Sequence, residues 1–365
     1  MAQAAPDASL DEDGIMASRT CALLSTLLLA ACGTTRPDVA RWSSEPIFDG
    51  DTKLGCCVVG ELLEEYPGPE VVAVGETGEV IVIHRDGEGW GHQIAGSMGG
   101  EMIQCAVGDV DPERPGLEIV AVGMLEGLED DGGLGAANLL WRDGDRWGWE
   151  RIFQDEALIH GVTVADIDPT RPGDEVLLTG FSERAHCLDY GPEGVRVQEA
   201  GVLGGAGKNA VAHAGGAAIP CRDGAVVLVR KEDEGWSTQV LDRVEAGQAR
   251  IASDGERLLV ARDDGALALI EGGARQELLR EEAKLRGAVL ADIDPYVDGL
   301  EAATVGYSGN VTVLYLEKGT WTPFVVHTAS DSLHHLTAAD LVPGGAAELL
   351  TCGYDGNVLL LRCQE

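Results

Sequence analysis

Short runs of alternating apolar and polar residues recur along the chain, and each breaks at a loop rich in aspartate, proline and glycine. In HGVTVADIDPTRPGDEV (160–176), Val162 and Val164 sit two apart, the spacing of a half-buried β-strand. After the loop comes a second strand, EIVAV in one copy, and then a Gly-containing hairpin turn such as ETGE, YSGN or YDGN leads to a third. A fourth begins with tryptophan: GWGHQI (Trp90), RWGWERIF (Trp147), GWSTQV (Trp236) and TWTPFVV (Trp321).

The pattern is a repeat. VGDVDPERPGLEIVAVG (107–123), VADIDPTRPGDEVLLTG (164–180), LADIDPYVDGLEAATVG (290–306) and AADLVPGGAAELLTCG (338–353) align, and VGELLEEYPGPEVVAVG (59–75) keeps the spacing with Glu61 as its first acid. The aligned acids Glu61, Asp109, Asp166, Asp292 and Asp340 lie 48, 57, 126 and 48 residues apart, so the long gap holds two degenerate units and the total is seven. Four antiparallel strands per unit, repeated radially, make a β-propeller blade. The sequence thus predicts an all-β, seven-bladed propeller over residues 41–365. The last unit stops after its third strand, and an orphan tryptophan segment, RWSSEPIF (Trp42), stands near the N-terminus. That strand is expected to complete the last blade, removing an exposed sheet edge and favouring a monomer.

Charge narrows the partners. With 62 acidic and 26 basic residues the formal charge is −36, which repels nucleic-acid phosphates and anionic membrane surfaces. No apolar run reaches the roughly 18 residues that a membrane span needs. From Met16 the chain reads MASRTCALLSTLLLAACG, a short secretory signal whose Leu29-Ala30-Ala31-Cys32 resembles a bacterial lipobox. Translation starting at Met16, removal of residues 1–31, lipidation of Cys32 and a tether over 32–40 are the expectations. The protein would then sit in a bacterial cell envelope, held to the membrane by its lipid anchor alone, on the periplasmic or outer-membrane side. Seven further cysteines (Cys56, Cys57, Cys105, Cys187, Cys221, Cys352, Cys363) include no CxxC, so they read as small apolar core residues with room for one disulfide.

The repeats, with their hydrophobic-x-D-x-D start, a glycine and a closing acid before an aliphatic strand, resemble the FG-GAP/VCBS repeats of integrin-type and bacterial extracellular propellers. In that family the loop often reads DxDxDG and holds calcium, a hard cation that takes about six to eight oxygens. Here the third carboxylate is replaced by Glu113, Thr170 and Tyr296, and a proline follows the second. Asp side chains that bond nearby amides, with Pro and Gly setting the backbone, make structural turns the first reading. Weak calcium binding by Asp109, Asp111 and Glu118, or by Asp166, Asp168 and Glu175, is the second. No other cofactor is expected.

Six residues before each loop acid, at the mouth of the central channel, stand Gly55, Ile103, His160, Arg286 and His334, with Lys208 and Gln248 as the nearest equivalents in the degenerate units. His160, Lys208, Arg286 and His334, with His335 beside them, would make a local positive funnel for a carboxylate or phosphate. A metal site on His160, His334 and His335 is disfavoured, because adjacent residues on a strand point to opposite faces. There is no GxSxG, HExxH, Walker loop or GxGxxG motif. The sequence reads first as a binding or assembly module for a protein or glycan partner. The alternative is a carbohydrate-active lyase or dehydratase, as on some related propellers, with its site at the channel mouth.

Overall fold

The structure is a computed structural model that describes residues 37–125, 133–342 and 345–364. The expected signal segment, Cys32 and most of the tether lie outside the described residues. Among those described, no helix is long and apolar enough to cross a membrane.

Seven four-stranded antiparallel sheets account for nearly all of the regular structure. Their innermost strands begin at Leu54, Met102, Ile159, Val211, Gln248, Leu285 and Leu333, and we number the blades 1 to 7 in that order. Each innermost strand touches that of the next blade, and blade 7 returns to blade 1, so the ring closes around a channel. The two units inferred from spacing alone are blades 4 and 5, with innermost strands Val211–His213 and Gln248–Ser253.

Burial explains the sequence pattern. The second strand of a blade, Glu70–Gly75 in blade 1, is covered on both faces by neighbouring blades and is buried throughout, so it reads as an unbroken aliphatic run. Outer strands such as Gly89–Ser97 alternate instead, with one side in water. The glycine that ends EIVAVG-type strands is forced by crowding: a Cβ on Gly75 would come within 2.1 Å of the Lys53 carbonyl oxygen.

The orphan tryptophan strand, Trp42–Asp49, pairs antiparallel with Asn357–Cys363 and closes blade 7, with Trp42 opposite Cys363. Trp42 Nε1 donates to Tyr315 Oη at 3.2 Å, and that hydroxyl donates to Asp294 Oδ2 at 3.0 Å, which fastens the closing strand to a loop of blade 6.

A further irregularity repeats. In blades 1, 2, 3, 5, 6 and 7 the innermost strand carries one extra residue near its start: Gly55, Ile103, His160, Ala249, Arg286 and His334. Such a bulge suspends the strict alternation of side chains and re-aims those beside it.

Candidate functional site

The bulges gather the charged residues at one end of the channel. His160 Nδ1 lies 2.9 Å from the Lys208 carbonyl oxygen and His334 Nδ1 lies 3.1 Å from that of Gly55. A carbonyl only accepts, so both imidazoles donate from Nδ1 and keep Nε2 as an acceptor. Lys208 Nζ (3.2 Å) and Arg286 Nη1 (2.5 Å) share the Asp263 carboxylate. Arg286 also lies over the Tyr307 ring at 4.7 Å, and the Tyr307 and Tyr354 hydroxyls are 3.0 Å apart.

Arg250 completes this layer, and sequence alignment missed it. The register makes Ala249 the bulged residue of blade 5, which turns Arg250 toward the channel, while Gln248 is buried and donates to the Gly224 carbonyl. From blade 5 the Arg250 charge acts on His160 of blade 3, His334 of blade 7 and Cys56 of blade 1, which puts its guanidinium near the channel axis. Its Nη1 donates to the carbonyls of Lys208 and Ala249. Its Nε and Nη2, the edge that grips a carboxylate with two parallel bonds, have no partner although the residue is 3% exposed. The one signal in the sequence was an arginine inside QARIAS, two positions after a glutamine where other blades carry Leu, Met or Ile.

The electrostatics follow from crowding cations in a dry site. Burial, reinforced by Arg250, holds His160 well below its ordinary range and His334 down at about 3, so both are neutral at physiological pH. Burial, with Arg286 adding to it, lowers Arg250 to about 10, and burial lowers Lys208 against the pull of Asp263. Asp263 resists burial and is lowered by Lys208 and Arg286. Within this inner cluster the three cations Lys208, Arg250 and Arg286 face the one carboxylate of Asp263, a local excess of positive charge on a molecule of −36.

Below the cationic layer lies a cavity of about 490 Å³ that runs along the channel. Cys56, Gln104, Asn209 and His335 line the end nearest Arg250, and aliphatic residues interspersed with Thr163, Ser253 and Thr337 line the rest. His334 and His335 thus occupy successive layers of one channel rather than opposite faces of a sheet, because the bulge falls between them and the preceding pairing. At the far end the innermost strands run into the acidic loops, where Glu61, Asp109, Asp166, Asp292 and Asp340 are all exposed.

Within those loops the closing glutamates bind backbone. Glu118 Oε2 accepts the amides of Val110 (2.9 Å) and Asp111 (3.2 Å), and Glu175 Oε2 those of Ile167 (2.9 Å) and Asp168 (2.7 Å). Asp111 and Asp168 each accept the amide two residues on, and Asp111 also pairs with Arg114 at 3.0 Å. Asp109 and Asp166 face solvent. Among the described residues, no three His, Cys, Asp or Glu side chains are grouped to hold a metal ion. The seven described cysteines are free thiols, six of them buried.

Comparison with solved structures bears on the scaffold. The chain superposes on the crystal structure of the WD40 β-propeller domain of Doa1 with a TM-score of 0.64, covering 88% of this chain and 96% of that one at 12% identity. The likeness is one of fold. No protein-family profile and no curated protein sequence matches the chain.

Proposed function

We propose that the protein is an exported, lipid-anchored binding propeller that takes an anionic group of a glycan or protein partner at the cationic end of its channel. The observation that carries this reading is the unpaired edge of Arg250. A buried donor left without a partner costs about 1–3 kcal/mol, and more when charged. A carboxylate or phosphate seated on Nε and Nη2 would recover that cost, with the neutral His160 and His334 in place to accept hydroxyl donors. The repeats' resemblance to FG-GAP/VCBS propellers and the lipobox-like segment ending in Cys32 support an extracytoplasmic setting. Replacing Cys32 with Ser would then move the protein from the membrane to the soluble fraction.

A second reading, lyase or dehydratase, draws on the hydroxyl pair beside Arg286. Tyr307 is lowered, against the effect of burial, by its bond from Tyr354 and by Arg286, which suits a base acting next to a bound uronate carboxylate. Calorimetric titration with uronic acids and phosphosugars separates the readings when product is followed by ultraviolet absorbance. Binding without turnover, weakened at least tenfold by Arg250→Lys, is expected for the binding module, because lysine cannot make the two-pronged contact. Turnover lost in Tyr307→Phe would favour the lyase. Absence of binding to every anion, or equal binding by Arg250→Lys, would overturn the anion site.

A further inference from the structure

Blades 1, 2, 5 and 7 place Cys56, Gln104, Arg250 and His335 at one level of the channel, the first paired position after the bulge. Blade 3 has Gly161 there, so Gln104 of blade 2 reaches past it to Asn209 of blade 4. Backbone amides fix the polarity of this contact. The Ile251 amide only donates, and its acceptor is Asn209 Oδ1 at 3.3 Å, which leaves Asn209 Nδ2 as the donor to Gln104 Oε1 at 3.2 Å. The Val162 amide donates to the same Gln104 oxygen at 3.4 Å. Gln104 Nε2 is therefore a donor, and it has no partner although the residue is 1% exposed and lines the polar end of the cavity. Arg250 adds its unpartnered Nε and Nη2 at the same level. Among the described residues that line the cavity there is no carboxylate.

The rest of the wall suits a peptide. Each innermost strand is the inner edge of its sheet, so alternate backbone N–H and C=O groups face the channel with no strand to pair them. At the polar end, side chains meet this need: Gln104 takes the Val162 amide, Asn209 the Ile251 amide and His335 the Cys57 amide at 3.5 Å. Further along, the lining is aliphatic apart from Thr163, Ser253 and Thr337. A hydrocarbon tail would cover those backbone groups without bonding them, whereas an extended peptide bonds them as an added strand. The cavity follows residues 104–107 of blade 2 and 288–291 of blade 6, which at about 3.3 Å per residue gives room for about four extended residues. Beyond it stand the exposed acids Glu61, Asp109, Asp166, Asp292 and Asp340.

The geometry points to capture of a partner protein's C-terminal tail, with its terminal carboxylate on Gln104 Nε2 and the Arg250 edge. About four small aliphatic residues would run along the channel, and basic residues just before them would meet the acidic loops. This inference rests on the reading of Arg250 as an anion site and names the anion as a chain terminus. The carboxylate meets unpartnered donors, the tail's amides meet the strand edges, and the basic segment offsets the repulsion that the acids exert on a bare anion.

The test uses the intact protein and the fluorescein-labelled peptide GKRGAVAV, ending either in a free carboxylate or in an amide, read by fluorescence anisotropy. The free-acid form should bind, and the amide form should bind about tenfold more weakly or worse. Gln104→Glu keeps an accepting oxygen for Asn209 and Val162 and replaces only the free donor, so it should reverse the preference in favour of the amide. A reversed preference also separates a changed site from a lost fold. Exchanging the peptide's Lys and Arg for Glu should weaken binding, most at low salt. Equal binding of acid and amide, an unchanged preference in Gln104→Glu, or decanoate competing as well as the unlabelled free-acid peptide would each refute the tail. If uronates bind through Arg250 and the peptides do not, the tail is refuted and the anion site stands; if neither binds, both fall.

Discussion

The closing glutamates show how a residue can serve structure at an electrostatic cost. Glu118 accepts two loop amides, which favours its ionised form, yet burial outweighs them and raises its carboxyl to about 7; Glu70 and Glu301 behave alike. A raised carboxyl pKa means that the folded chain holds a proton which the unfolded chain, ionising at about 4.3, has released. The stabilising contribution is full below that lower value and is lost as pH rises toward 7. Glutamine keeps an accepting oxygen without the charge. Glu118→Gln should therefore gain in Tm relative to the unsubstituted protein as pH rises from about 5 to 8, and a Tm difference that is flat or falls across that range would contradict this account.

At the scale of the element, closure of blade 7 rests on one strand, and Trp42–Tyr315–Asp294 is a buried side-chain bolt that ties it to blade 6. Tyr315→Phe strands the Trp42 donor and an Asp294 oxygen together and should cost about 1–3 kcal/mol in urea unfolding. Trp42→Phe should cost less when Tyr315 has already been changed than when it has not, and a double-mutant cycle that adds without coupling would show the bond to be unimportant. The propeller and this closure were legible in the sequence because spacing, hairpin turns and the orphan RWSSEPIF strand agreed. The mouth was half legible. Counting back six residues finds His160, Arg286 and His334 because the bulge recurs at that offset, but in blade 5 the bulged position is Ala249 and the cation is the next residue, in register with Cys56 and His335, so Arg250 was missed. Strict alternation also hid the place of His335 on the channel wall: it separates His334 from His335, and the bulge undoes that separation.

The molecule is strongly negative as a whole, with exposed acids in the loops at one end of the channel and a small cationic cluster around Arg250 near the other. A dianionic ligand is repelled at long range and attracted only near the site. The Debye length shrinks from about 30 Å at 0.01 M salt to about 8 Å at 0.15 M. Association of such a ligand should therefore speed up over that range while dissociation also quickens, and stopped-flow rates that fall steadily with salt would mean that the local field dominates at all distances. The repeated bulge has one more consequence. It delivers six radially arranged positions, 55, 103, 160, 249, 286 and 334, of which Gly55 and Ala249 are closed in by their neighbours while His160, Arg286 and His334 carry polar side chains into the channel cluster. Those three act as sockets on an otherwise fixed ring, so descendants of this scaffold can acquire new ligand preferences by exchanging occupants there, one blade at a time, with the rest of the molecule unchanged.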